Sequence, residues 1–99
     1  MMIARVIGTV VSSQKEPTLE GLRLLVCQPV NAEGDNAGST LVAADAVGAG
    51  AGEMILYATG SSARQTVATQ NRPVDAVVMA IVDTWEVAGE IKYRKSDDA

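Results

Sequence analysis

Gly48, Gly50 and Gly52 crowd into the stretch "DAVGAGAGEMILYATGSSAR". Glycines at such spacing are what a backbone needs to approach a phosphate closely. A dinucleotide fingerprint requires G-x-G-x-x-G after a strand and before a helix, so that the pyrophosphate meets a helix N-terminus. Gly48 and Gly50 fit its first two positions, but the third falls on Glu53. The residues that follow, "MILYA", are β-formers. The G-K-[ST] ending of a P-loop is also absent. These glycines are therefore expected to turn the chain, through positive φ or close backbone approach.

Other chemistry is thin. The chain has no His, which removes the commonest general base and the commonest metal ligand. Its single cysteine, Cys27, excludes an internal disulfide and a multi-thiolate zinc site within one chain. Cys27 sits in an apolar run, reads as a small buried hydrophobe, and fits a reducing, cytosolic setting. Asp45, Asp75 and Asp83 are isolated along the chain and are expected to bond nearby backbone N–H groups. Ser61 and Ser62 have no base beside them and read as helix caps. The expectation is a protein that is not an enzyme, with no catalytic residues, no cofactor and no metal.

Charge and aromatic content narrow the partners. The net charge of −4 has the wrong sign for displacing counterions from nucleic acid. Lys92, Arg94 and Lys95 cluster, but Asp97 and Asp98 follow at once, so this reads as a solvated mixed-charge tail. There is no Phe, and the aromatics are Tyr57, Trp85 and Tyr93. That set is too sparse for the base-stacking platform of a nucleic-acid-binding barrel. No run is long enough to span a membrane, and the N-terminus does not read as a signal peptide.

The elements that must position these residues are mostly strands. Apolar residues make up 47% of the 99, enough for one globular domain over residues 1–99. Residues 2–13, rich in Ile, Val and Thr, are expected as a strand with Ala4, Val6, Gly8 and Val10 on one face. Residues 19–30 form a second strand, and 31–39 a loop closing a hairpin onto a third, 40–47. A fourth strand covers 53–60. A short helix is expected within 61–70, where Ser62 and Gln65 have capping-box spacing. A long strand spans 74–89. About five strands with short turns predict a small barrel or sandwich.

Several strands are apolar on both faces. In the last, Val78, Ala80 and Val82 oppose Val77, Met79 and Ile81. A barrel has one interior, so the second face needs another cover, and in so short a chain other subunits are the expected one.

The segments "ARVIGTVVSS", "GLRLLVCQPV", "VAADAVGAGAGEMIL", "GSSAR" and "RPVDAVVMAIVDTWEV" occur in this order nearly end to end. In this respect the chain resembles the bacterial microcompartment vertex family, the pentameric shell proteins of carboxysomes and metabolosomes. Ala44 stands where a larger β-branched residue is frequent, and Ala80 where a glycine is. The resemblance implies an all-β fold: a small OB-like five-stranded β-barrel with one short helix, forming a cyclic pentamer. It implies a structural role at the vertices of a shell in the bacterial cytoplasm, with hexameric shell proteins as neighbours and no cofactor, nucleic acid or membrane. It places Gly48, Gly50, Gly52, Glu53, Ser61, Ser62 and Arg64 at the subunit interface or near the five-fold axis. Arg64 would there pair with a neighbour's carboxylate or carbonyl. The alternative is a small OB-like oligomeric binding domain of unrelated role.

Overall fold

The computed structural model describes residues 1–97. Asp98, in the mixed-charge tail above, lies outside them. Seven strands run in order: β1 (Met2–Val10), β2 (Leu24–Pro29), β3 (Leu41–Asp45), β4 (Met54–Thr59), β5 (Ala76–Ile81), β6 (Thr84–Val87) and β7 (Glu90–Arg94). Five close into a barrel in the order β1-β2-β3-β5-β4, and β6 and β7 form a separate hairpin. All barrel pairings are antiparallel except β3 with β5, which is parallel and brief. Closure leaves the barrel no exposed edge strand.

The interior holds Ala4 and Val6 from β1, Leu25 and Cys27 from β2, Ala43 from β3, Ile55 and Tyr57 from β4, and Ala76 and Val78 from β5. Burial pushes the Cys27 thiol up from its ordinary value, with a smaller contribution from the charge of Asp45. It is thus a core hydrophobe, as its apolar surroundings predict.

Two bulges revise the expected faces. The register slips at Ile7, so Val6 faces Cys27 while Gly8 faces Val26. Gly8 and Val10 therefore turn away from the interior that Ala4 and Val6 share. A second slip beside Met79 pairs Tyr57 with Val78 but Ile55 with Ile81. Val78 and Ile81 both pack on the barrel core, whereas strict alternation sets them on opposite faces. An extra residue bends the strand and resets its side-chain alternation, which is how a short sheet curls shut.

The expected boundaries shift as well. The first strand stops at Val10 and the second begins at Leu24. Between them Pro17–Leu19 forms a 3-10 turn with the Glu16 side chain as its cap. The long strand expected over 74–89 breaks after Ile81, and its second half joins the outer hairpin. Trp85 stacks on Tyr93 with ring centroids 5.1 Å apart and donates from Nε1 to the Ala32 carbonyl at 2.8 Å. Lys92 meets Glu33 at 2.8 Å. These contacts pin the hairpin to the β2–β3 loop.

The short helix is a 3-10 turn, Gly60–Arg64, with Thr59 before it and no side-chain cap. Ser61 and Ser62 lie inside the turn and are exposed, so they are not caps. Gln65 meets Ser62 through its backbone N–H, not through a capping box. Gly60 enters the turn at φ +66°, and the β-branched Thr66, Val67 and Thr69 disfavour continuing it as a helix.

This turn covers the second apolar face from within the chain. Ala63 packs with Ala44, Ala58 and Val77, with Leu24, Ala46, Val74 and Met79 around them. The small side chains at 44, 58 and 63 let the turn lie close to the sheet. The face of β5 that sequence patterning assigned to other subunits is thus closed locally. On β1, β2 and β3 the outer face stays partly open, with Val10 and Val42 exposed.

Candidate functional site

The seven residues singled out in the sequence fall into two segments flanking β4. Gly48, Gly50, Gly52 and Glu53 precede it, and Ser61, Ser62 and Arg64 follow it. Six extended residues separate Glu53 from the second turn by about 20 Å. No hydrogen bond joins the two segments among the described residues.

Asp45 organises the first segment. Its Oδ1 accepts from the backbone N–H groups of Val47 and Gly48, each at 3.1 Å, and of Ala49 at 3.3 Å. Oδ2 takes Arg23 Nη1 at 2.8 Å. Burial works against the charge, but these donors together hold the carboxyl below its ordinary value. This is the backbone-bonding role expected for an Asp at a strand end. The methyl group of Ala49 enters the barrel core, so the turn also plugs one end of the barrel.

The glycines divide the work. Gly48 and Gly52 have φ of +78° and +85°, a region in which a Cβ is strained. Gly50 does not. A Cβ there would lie 3.3 Å from Glu53 Oε1, because the Gly50 N–H donates to that carboxylate. Glu53 Oε2 takes Lys95 Nζ at 2.6 Å. These bonds lower the Glu53 carboxyl, that from Lys95 most, and raise the Lys95 ammonium. Gly52 in turn exchanges backbone contacts with β1, its N–H donating to the Val6 carbonyl at 2.7 Å, and its carbonyl accepts from Arg5 Nη1 at 2.9 Å. The N–H groups that could face an anion are largely committed to Asp45 and Glu53, so the turn is an intramolecular clamp.

The second segment is open. Arg64 Nη1 reaches the Val74 carbonyl at 3.2 Å. Beside it a groove of about 560 Å³ is lined by Thr18, Ser61, Arg64, Gln65, Asn71, Arg72 and Pro73. Arg72 Nη1 holds the carbonyls of Thr18 and Glu20 at 2.8 and 2.7 Å. Thr69, fully buried, donates to the Ala63 carbonyl and meets the Thr66 hydroxyl. Arg23, Arg72, Thr66 and Thr69 were missed in the sequence. Only the T-x-x-T spacing of the last pair carried a signal, that of a side-chain-stabilised turn. No group of three or more Cys, Asp or Glu is placed to hold a metal ion among the described residues.

Comparison with known proteins gives this arrangement its context. The family described as "Ethanolamine utilisation protein EutN/carboxysome" matches residues 1–83, ending one residue before β6. The carboxysome shell vertex protein CcmL of Gloeobacter violaceus is 48% identical, over 98% of this chain and 97% of its own. The microcompartment shell vertex protein PduN of Salmonella typhimurium is 47% identical, over 85% of this chain and 97% of its own. The solved structure of Gloeobacter violaceus CcmL superposes with a TM-score of 0.93 at 48% identity, covering 98% of this chain and all of that one. The GrpN pentameric microcompartment shell protein of Rhodospirillum rubrum superposes with a TM-score of 0.81 at 44% identity, covering 89% and 100%. A closed barrel of this order, matched nearly end to end at this identity, places the chain in the EutN/CcmL family of microcompartment shell vertex proteins.

Proposed function

We propose that this protein is a structural subunit of a bacterial microcompartment shell in the cytoplasm, five copies of which close into a ring at a shell vertex. The carrying observation is the near full-length identity to vertex proteins, 48% over 98% of this chain for the Gloeobacter violaceus CcmL. The physical role follows from geometry: a flat hexagonal sheet cannot close, and five-fold units supply the missing curvature. The ring's outer edges would meet hexameric shell proteins of the facets. The chain performs no catalysis in this reading. The glycine turn, with Gly48 and Gly52 exposed beside Gly50 and Glu53, and the Ser61–Ser62–Arg64 turn supply rigid contact surfaces between subunits.

The test is mass in solution. One chain of 10.3 kDa closing as a five-membered ring gives a species of about 50 kDa. Native mass spectrometry should find five copies, and co-expression with a hexameric shell protein should yield closed particles. A stable monomer at micromolar concentration would overturn the reading. A mobility shift of single-stranded DNA would favour a nucleic-acid-binding barrel instead.

A further inference from the structure

We propose that the β6–β7 hairpin is a strap that couples the β2–β3 loop to the glycine turn, with Glu53 as the point where its motion reaches that turn. This coupling belongs to the single chain and is independent of the pentameric reading above.

The hairpin is held at two places. Its body docks on the β2–β3 loop, where Trp85 Nε1 donates to the Ala32 carbonyl at 2.8 Å and Lys92 Nζ meets Glu33 Oε2 at 2.8 Å. Its base docks on the start of β4. There the Val82 N–H donates to the Met54 carbonyl at 2.8 Å, and Lys95 Nζ meets Glu53 Oε2 at 2.6 Å. Lys95 is itself fixed to the hairpin, because its N–H donates to the Asp83 carbonyl at 2.8 Å across the base. Among the described residues no hydrogen bond or ion pair joins the β2–β3 loop directly to residues 46–53. The hairpin bonds to both sides.

The glycine turn is gripped by two carboxylates, one for each half. Asp45 holds the N–H groups of Val47, Gly48 and Ala49. Glu53 holds that of Gly50 through Oε1, while its Oε2 faces Lys95. The Glu53 backbone is anchored separately: its N–H donates to the Gly50 carbonyl at 3.1 Å, and its carbonyl accepts from the Val6 N–H at 2.9 Å. The side chain is therefore the part free to swing. A carboxylate shared between two donors couples them, because each bond holds it in the geometry the other requires. When Lys95 moves off, Glu53 regains rotamer freedom that works against the Gly50 bond. Asp83 also attracts Lys95 from nearby, yet the ammonium bonds Glu53 and not Asp83. Arg5 reaches the same turn at the Gly52 carbonyl, 2.9 Å away. The Lys95–Glu53 pair is partly in solvent, 44% and 21% exposed, so the coupling is expected as a few-fold effect.

The experiment reads amide exchange residue by residue, by NMR on the full chain. Trp85→Ala frees the hairpin body at a residue whose hydrogen bond and ring contact are to Ala32 and Tyr93. It should quicken exchange of the Gly50 amide about two- to fivefold. The Val47, Gly48 and Ala49 amides, which Asp45 holds, should not change. In a Lys95→Gln chain the Gly50 amide should already exchange faster, and Trp85→Ala should then add nothing there. Should Trp85→Ala also quicken the β1 and β2 amides, Glu33→Gln repeats the comparison, since it removes only the surface pair with Lys92. A Gly50 amide indifferent to both hairpin-releasing substitutions overturns the coupling. Equal quickening with and without Lys95 overturns Glu53 as its point of entry.

Discussion

Arg23 reaches from the residue before β2 to Asp45 at the end of β3, placing Nη1 2.8 Å from Oδ2, while the same nitrogen donates to the Ala49 carbonyl. One guanidinium thus ties together the strand end, the carboxylate that gathers the glycine turn, and the turn itself. Asp45 is nearly buried, its side chain 3% exposed, and Arg23 is half exposed at 49%. Removing the two should therefore have unequal effects. Asp45→Ala leaves three N–H groups without their acceptor and should cost about 2–4 kcal/mol. Arg23→Ala, discounted for solvent screening, should cost about 1 kcal/mol. Urea unfolding of both variants measures the difference.

The glycine positions should separate by backbone conformation. Gly48→Val and Gly52→Val each force a β-branched side chain into positive φ and should cost roughly 1–3 kcal/mol. Gly50→Ala meets only the end of the Glu53 side chain, which can shift, and should cost less than about 1 kcal/mol. Thermal melts of the three variants check this order.

Acid should weaken the fold through the same turn. The Asp45 and Glu53 carboxyls are held below their ordinary values in the folded chain. The stability they contribute is fully present above the unfolded-state values of about 4. It is lost as pH falls through the lower folded-state values. Denaturant midpoints should decline below about pH 4, and Asp45→Asn should flatten that decline while lowering stability at pH 7.

Trp85 should control the hairpin and not the barrel. Trp85→Ala removes the stack on Tyr93 and the bond to the Ala32 carbonyl. Amide exchange over residues 31–36 and 84–94 should quicken roughly tenfold or more. Exchange in β1, β2 and β4 should stay unchanged.

The sequence by itself determined the strand-rich character and the use of the glycines to turn the chain. Apolar β-branched runs punctuated by turn-formers favour strands, and a chain with no His and a single Cys supplies neither a histidine general base nor a multi-thiolate zinc site. The motif order also carried the family. The two bulges were beyond the sequence, because Ile7 and Met79 look like ordinary strand residues. Only barrel closure demands the extra residue that turns Gly8 outward and Ile81 inward. The break at Val82 and Asp83 was hidden for a similar reason. A single Asp83 within a mostly apolar run from 76 to 87 is weak local punctuation, and the packing of Trp85 on the 31–36 loop holds the second half apart from the barrel. Gly48 and Gly52, and not Gly50, take positive φ because the path from β3 to β4 fixes where the chain must reverse. The pairing of Arg64 with Arg72 depends on the 65–73 loop folding back over Ala63, where Thr66 and Thr69 lock it. Such long-range juxtapositions arise from closure of the chain on itself, which local spacing does not encode.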